Sequence, residues 1–196
     1  RFANVYTGSF EEGFHWLGGV DMPDRYYDEH MLVERADGSL WMLIRLLRGI
    51  GQAESRDGGR TWQSIRVADI WGPGSRFFVR RLRSGRLLLV NHSRQPGTER
   101  QEDSLFGKRS HLSAYLSDDD GGSWSAPLLL DEREDAAYPD GVETGDGWIY
   151  IIYDHKRLKV KQILMARFRE EDVLAGRLVA SGSLLRVLVD QAGGET

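Results

Sequence analysis

Glu29, Arg45, Arg109 and Tyr138 are the residues of this sequence whose types and surroundings suit chemistry on a charged substrate. An arginine offers a planar fork of donors that grips a carboxylate through paired, charge-assisted hydrogen bonds. A tyrosine offers a neutral hydroxyl, and a glutamate can accept a proton. Arg45 ends an apolar run, and Glu29 stands just before the run that precedes it. Arg109 lies eight residues ahead of Ser117, and Tyr138 lies fourteen residues after Trp124 in the stretch Ala137-Tyr138-Pro139-Asp140. Each residue also has a plainer reading: a paired arginine at a strand end, a turn carboxylate, a solvated loop cation beside Lys108, a core aromatic. They are too far apart in sequence to meet unless the fold gathers them.

The elements that must position them announce themselves as a repeat. Three segments share a turn ending in glycine followed by an apolar strand: 36–45 around Gly38, 83–91 around Gly85 and 145–154 around Gly147. Each reads as a tight hairpin turn feeding a strand buried on both faces. A further strand is expected before each, over residues 31–34, 77–82 and 141–143, and another after each, over 50–55, 111–117 and 160–168. Outer strands are expected over 63–67 and 126–130. Pro139 is expected to hold Tyr138 in an extended conformation. The glycines recur after 47 residues (38 to 85) and then 62 (85 to 147). Four strands in 40–50 residues is the size of a propeller blade. The longer interval holds a polar insertion over 93–108, between the second and third strands of its unit.

Residues 1–196 read as a single domain, a partial β-propeller with blades over about 29–70, 76–131 and 136–169. Residues 1–28 contribute the end of a preceding blade. Residues 170–196 form a C-terminal extension: a short helical turn, a strand and a loose tail. Three blades do not close a ring, so the missing blades are expected from upstream sequence or from another chain. The chain opens in mid-pattern at Arg1 and is read as a fragment or a processed product.

Two segments, Ser55-Arg56-Asp57-Gly58-Gly59-Arg60-Thr61-Trp62 and Ser117-Asp118-Asp119-Asp120-Gly121-Gly122-Ser123-Trp124, fit the pattern Ser-x-Asp-x-Gly-x-x-Trp. The aspartate accepts hydrogen bonds from the backbone of its own turn, glycine takes the conformation other residues resist, and the tryptophan packs the turn onto the sheet. These are Asp-boxes, and the chain resembles the sialidase (bacterial neuraminidase repeat) superfamily. The resemblance implies an all-β fold, a six-bladed propeller of which this chain supplies about three blades and part of a fourth. It gives the Asp-boxes a structural role.

From residue 28 to 168 the resemblance extends to single positions. Glu29, a strand, a turn and a strand ending in Arg45 match the sialidase pattern of a catalytic glutamate followed by a substrate arginine. Arg109 before the second Asp-box matches another arginine of the carboxylate-binding triad. Tyr138 matches the nucleophile, although Pro139 stands where serine is common. The implied activity is a glycoside hydrolase cleaving terminal sialic acid or a related acidic sugar, with Tyr138 as nucleophile, Glu29 as its base, and Arg45 and Arg109 as clamps. A tyrosine suits this substrate because its anomeric carbon carries a carboxylate that would repel an anionic nucleophile. The family's first triad arginine and its aspartate general acid have no matching positions.

Among 196 residues, 29% are charged and 40% hydrophobic, with net charge −4 and no cysteine. Disulfides and thiolate metal sites are therefore excluded, and no global basic field favours nucleic acid or an anionic membrane. No apolar run reaches the roughly 18–20 residues of a membrane-spanning helix. The expected partner is an acidic glycan. No cofactor is expected, and His30 and His92 lack the spacing of metal ligands. Asp154, His155 and Arg157 follow the third apolar strand, where Arg157 or His155 could meet an acidic sugar; the plainer reading is a polar turn. Two rival functions stay open. One is cleavage of another anionic polysaccharide, by hydrolysis or elimination, with His155 or His30 pairing with Tyr138. The other is non-catalytic glycan binding.

Overall fold

The computed structural model describes residues 3–22, 29–47, 49–94 and 109–193. Fourteen strands and one short helix occur among them, in four antiparallel sheets. β1 (Ala3–Ser9) and β2 (Gly13–Val20) form a two-stranded sheet. The second sheet runs in chain order through β3 (His30–Glu34), β4 (Leu40–Arg45), β5 (Ile50–Ser55) and β6 (Gln63–Val67). The third holds β7 (Phe78–Arg81), β8 (Leu87–His92), β9 (Leu112–Ser117) and β10 (Leu128–Asp131). The fourth holds β11 (Ala136–Glu143), β12 (Ile149–His155), β13 (Gln162–Phe168) and β14 (Leu184–Gln191). These are three four-stranded blades and two strands of a fourth.

The 93–108 segment does connect the second and third strands of its blade, although residues 95–108 are outside the described part. The strand expected after residue 170 is the outermost strand of the third full blade, since β14 pairs with β13. The connecting helix α1 (Glu170–Ala175) is stopped by Gly176 in the left-handed conformation. Asp172, fully buried, accepts hydrogen bonds from the backbone of Arg169, Val179 and Ala180 and from the Ser183 hydroxyl. It thereby folds the segment back so that β14 can reach its sheet. Residues 194–196, within the expected loose tail, are outside the described part.

Three apolar clusters lie between successive sheets, and strand alternation explains them. On β4, Met42 and Ile44 face Val5 and Val20 of the first sheet, whereas Trp41 and Leu43 face Phe77 and Leu89 of the next. On β8, Leu87 and Leu89 face back while Leu88 and Val90 face forward to Ile151 and Tyr153. Both strands are apolar throughout because both faces are covered. β12 departs from the sequence expectation. Ile149, Ile151 and Tyr153 are buried, but Ile152 on the other face is 47% exposed. An equally apolar run here has one face covered by its own chain. Trp16 on β2 is also exposed, with its indole N–H on the side-chain oxygen of Asn4.

Candidate functional site

Hairpin register puts the candidate residues at one end of the blades and the Asp-boxes at the other. Arg45 pairs with Ile50 at one end of the β4–β5 hairpin, and Leu40 pairs with Ser55, where the first Asp-box starts, at the opposite end. Likewise His92 pairs with Leu112, and Leu87 with Ser117 of the second Asp-box.

In the Asp-box turns the aspartate gathers the turn's donors. Asp57 accepts from the Ser55 hydroxyl, the backbone N–H of Arg60 and Thr61, and the Thr61 hydroxyl. Asp119 repeats this with Ser117 and Ser123. These bonds, led by the hydroxyls of Thr61 and Ser123, hold both carboxyls well below the usual carboxylate range. Trp124 packs against the cluster between the second and third sheets.

At the other end, Arg45 is fully buried, and its neighbours give the site its shape. Its Nη1 donates to the Glu29 carboxylate and, at 3.2 Å, to the Tyr138 hydroxyl; its Nη2 donates to the Gly74 carbonyl at 2.6 Å. The Gly74 carbonyl also accepts from Arg109 Nη2 at 3.2 Å. Arg45 comes from one blade, Arg109 from the next and Tyr138 from a third, and the connection between β6 and β7 holds the two arginines. Glu29 and Tyr138 share no direct hydrogen bond and meet at one guanidinium nitrogen. Because that nitrogen donates to the phenol oxygen, the phenol proton is left to be given elsewhere.

Tyr138 has φ +58°, in the left-handed region. The extended conformation expected from Pro139 is therefore not adopted. The reason is a bulge: Ala137 pairs with Asp154 and Asp140 with Ile152, so Tyr138 and Pro139 lie within a register break. A left-handed non-glycine residue costs on the order of 1–3 kcal/mol and persists where surrounding packing over-determines it. Here the surroundings are guanidinium groups. Arg157 stacks over the Tyr138 ring at 3.7 Å from its centroid, and Arg109 and Arg45 lie 5.7 and 5.8 Å from it. A cation over an aromatic face is attracted by the ring's electron density. Arg157 is held in turn by Asp154, with Nη2 at 2.7 Å. Burial pushes the Asp154 carboxyl above its ordinary value, against the opposing pull of Arg157.

Two cavities flank this cluster. One, of about 250 Å³, is lined by Glu29, His30, Met31, Arg76, Phe77 and Tyr138. The other, of about 200 Å³, includes Arg109, Ala137, Asp154 and Arg157. Of the residues singled out in the sequence, Glu29, Arg45, Arg109, Tyr138 and Arg157 are thus brought together. His155 is not. It alternates onto the face of β12 that carries Tyr153, is buried, bonds Gln162 through Nδ1 at 3.0 Å, and lines neither cavity. Buried His92 bonds the Ala136 carbonyl at 2.9 Å beneath the site, and burial, with Arg109 nearby, pushes its pKa down to about 4.

Sequence reasoning missed Gly74 and Arg76. Arg76 lines the first cavity and pairs with Asp140 at 3.0 Å. The Gly72-Pro73-Gly74 run was the available signal, since such runs mark turns where backbone comes close to other groups. A Cβ on Gly72 would stand 2.8 Å from Asn91.

The family model for the BNR repeat-like domain matches residues 13–151. The chain belongs to that family. Among solved structures, the chain is similar to the intramolecular trans-sialidase from Ruminococcus gnavus in complex with oseltamivir carboxylate (19% identity, TM-score 0.57, 84% of this chain and 37% of that one). It is similar also to a protein of unknown function from Dyadobacter fermentans (18% identity, TM-score 0.54, 84% of this chain and 54% of that one). No curated protein matches in sequence. The likeness establishes the sialidase-type propeller. The chain spans about a third to a half of the structures it matches.

Proposed function

We propose that this chain carries the nucleophile half of a glycoside hydrolase site of the exo-α-sialidase kind, acting on terminal sialic acid or a related acidic sugar. The observation that supports it is the meeting of the Tyr138 hydroxyl and the Glu29 carboxylate at Arg45 Nη1. In this reaction the Tyr138 oxygen attacks the anomeric carbon and the bond to the leaving oxygen breaks. The phenol proton passes to Glu29, which lines the same cavity, and Arg45 donates to the oxygen as charge develops on it. Water then attacks the anomeric carbon, the bond to Tyr138 breaks, and the proton returns, so configuration is retained. Arg45 is already engaged by Glu29, Tyr138 and Gly74, so Arg109 and Arg76 at the cavities supply the cations that a substrate carboxylate can reach. The general acid, a further arginine and the remaining blades come from upstream polypeptide or another chain.

The test is release of fluorophore from an aryl sialoside, whose leaving group needs little protonation, by the longest natural polypeptide containing this chain. Release that collapses in Tyr138→Phe supports the reading; a folded protein that releases nothing contradicts it. One observation favours a second reading, elimination on another anionic glycan: His30 lines the Tyr138 cavity. In that case His30→Ala abolishes turnover of uronate polymers, and sialosides are inert.

A further inference from the structure

The cavity behind Tyr138 carries, beside Arg109, three cations that the reaction above does not use. Lys156, Arg157 and Lys159 line it against two carboxylates, Asp135 and Asp154, a surplus of one positive charge (3 − 2) with Arg109 left to the first anion. Asp154 is committed to Arg157. Among the described residues no ion pair joins Arg109, Lys156 or Lys159 to a carboxylate. Cations grouped around a concave surface in excess of their counter-charges favour an anion there.

Size and position narrow the ligand. At about 200 Å³ the cavity is smaller than the roughly 300–1,000 Å³ that enclose a whole drug-sized ligand. It suits a charged substituent. It is next to the first cavity: Ala137 lines one and Tyr138 the other, with Arg157 stacked on the ring between. We propose that it is a second anion subsite, taking a carboxylate or sulfate group on the sugar residue adjoining the one at Tyr138. The preferred substrate is then a glycan with negative charges on neighbouring residues. Lysine ammonium groups act as flexible point charges and accept either oxyanion. The inference rests on the Tyr138 cavity being the sugar site, and its test separates the two claims.

Calorimetric titration of the longest natural polypeptide containing this chain with two probe pairs decides it. Each pair sets a monoanion against a dianion: sialyllactose against α2,8-linked disialic acid, and glucuronic acid against the 6-sulfated chondroitin disaccharide. Within the pair that binds, the dianion is expected to bind about tenfold tighter, as one charge-assisted bond allows. That advantage shrinks with salt and disappears in Lys156→Asn/Lys159→Ala. Asparagine is chosen because Lys156 has φ +49° and asparagine tolerates that conformation. Which pair binds tests the sugar reading; the dianion advantage tests the subsite. Equal affinities within both pairs, no binding of any probe by the folded polypeptide, or an advantage kept by the double variant overturns the subsite.

Discussion

At one end of the blades, Asp57 and Asp119 collect the hydrogen bonds of their own turns, although Asp120 beside Asp119 also accepts from the Ala36 backbone of the preceding blade and from Arg81. At the other end, the partners of one side chain come from three blades. Arg45 reaches Tyr138 and shares Gly74 with Arg109, and Tyr138 sits in a left-handed conformation under stacked guanidinium groups. Locally satisfied turns can be conserved in shape wherever the blade occurs. A site assembled across blades depends on the whole stack. The contrast separates residues that hold one blade together from residues whose partners come from several blades.

The largest effect expected from breaking this contrast is at Tyr138. Tyr138→Phe keeps the ring under Arg157, so the thermal midpoint stays close to the parent while turnover falls on the order of a thousandfold, as loss of a nucleophile demands. Glu29→Gln comes next, with a loss on the order of a hundredfold. Activity assays beside thermal melts check both. At the opposite end, Asp119→Ala should lower the melting temperature and leave turnover per folded molecule unchanged. A loss of turnover at full stability would blur the division.

Two smaller effects sharpen it through pH. The Asp119 carboxyl is depressed from 3.8 to about 2 by Ser123 and Ser117. Its contribution is therefore complete above about 3.8 and is lost as pH falls toward 2. Under the site, His92 is buried neutral with its pKa lowered from 6.5 to about 4. Its contribution is complete above 6.5 and is lost as pH falls from 6.5 toward 4, because the unfolded chain takes up the proton first. Denaturant titrations of His92→Gln should show a flatter profile across that window, and those of Asp119→Asn a flatter one below it.

Much of the blade was legible because its signals are local. Residues 50–55 and 63–67 are strands as expected, since alternation and glycine turns set them within a few residues. The Asp-box bonds follow for the same reason. The fourth strand of the last blade was read only as part of an extension, because its place depends on the Asp172 knot that reverses the chain. In the site, residue types pointed to Glu29, Arg45, Arg109, Tyr138 and Arg157, but their partners did not show. Gly74 offers only a carbonyl, which no side-chain pattern reveals. The Tyr138 conformation is set by a bulge against β12, and bulge register is a property of two strands. His155 was misplaced by one step of alternation, which decides between cavity and core.

The most direct test of the account is a peptide map of the natural polypeptide containing this chain, quenched during turnover of an aryl sialoside. The account predicts a glycosyl mass on the peptide bearing Tyr138, absent from Tyr138→Phe. Turnover with no adduct on that peptide, at a rate the variant preserves, would contradict it.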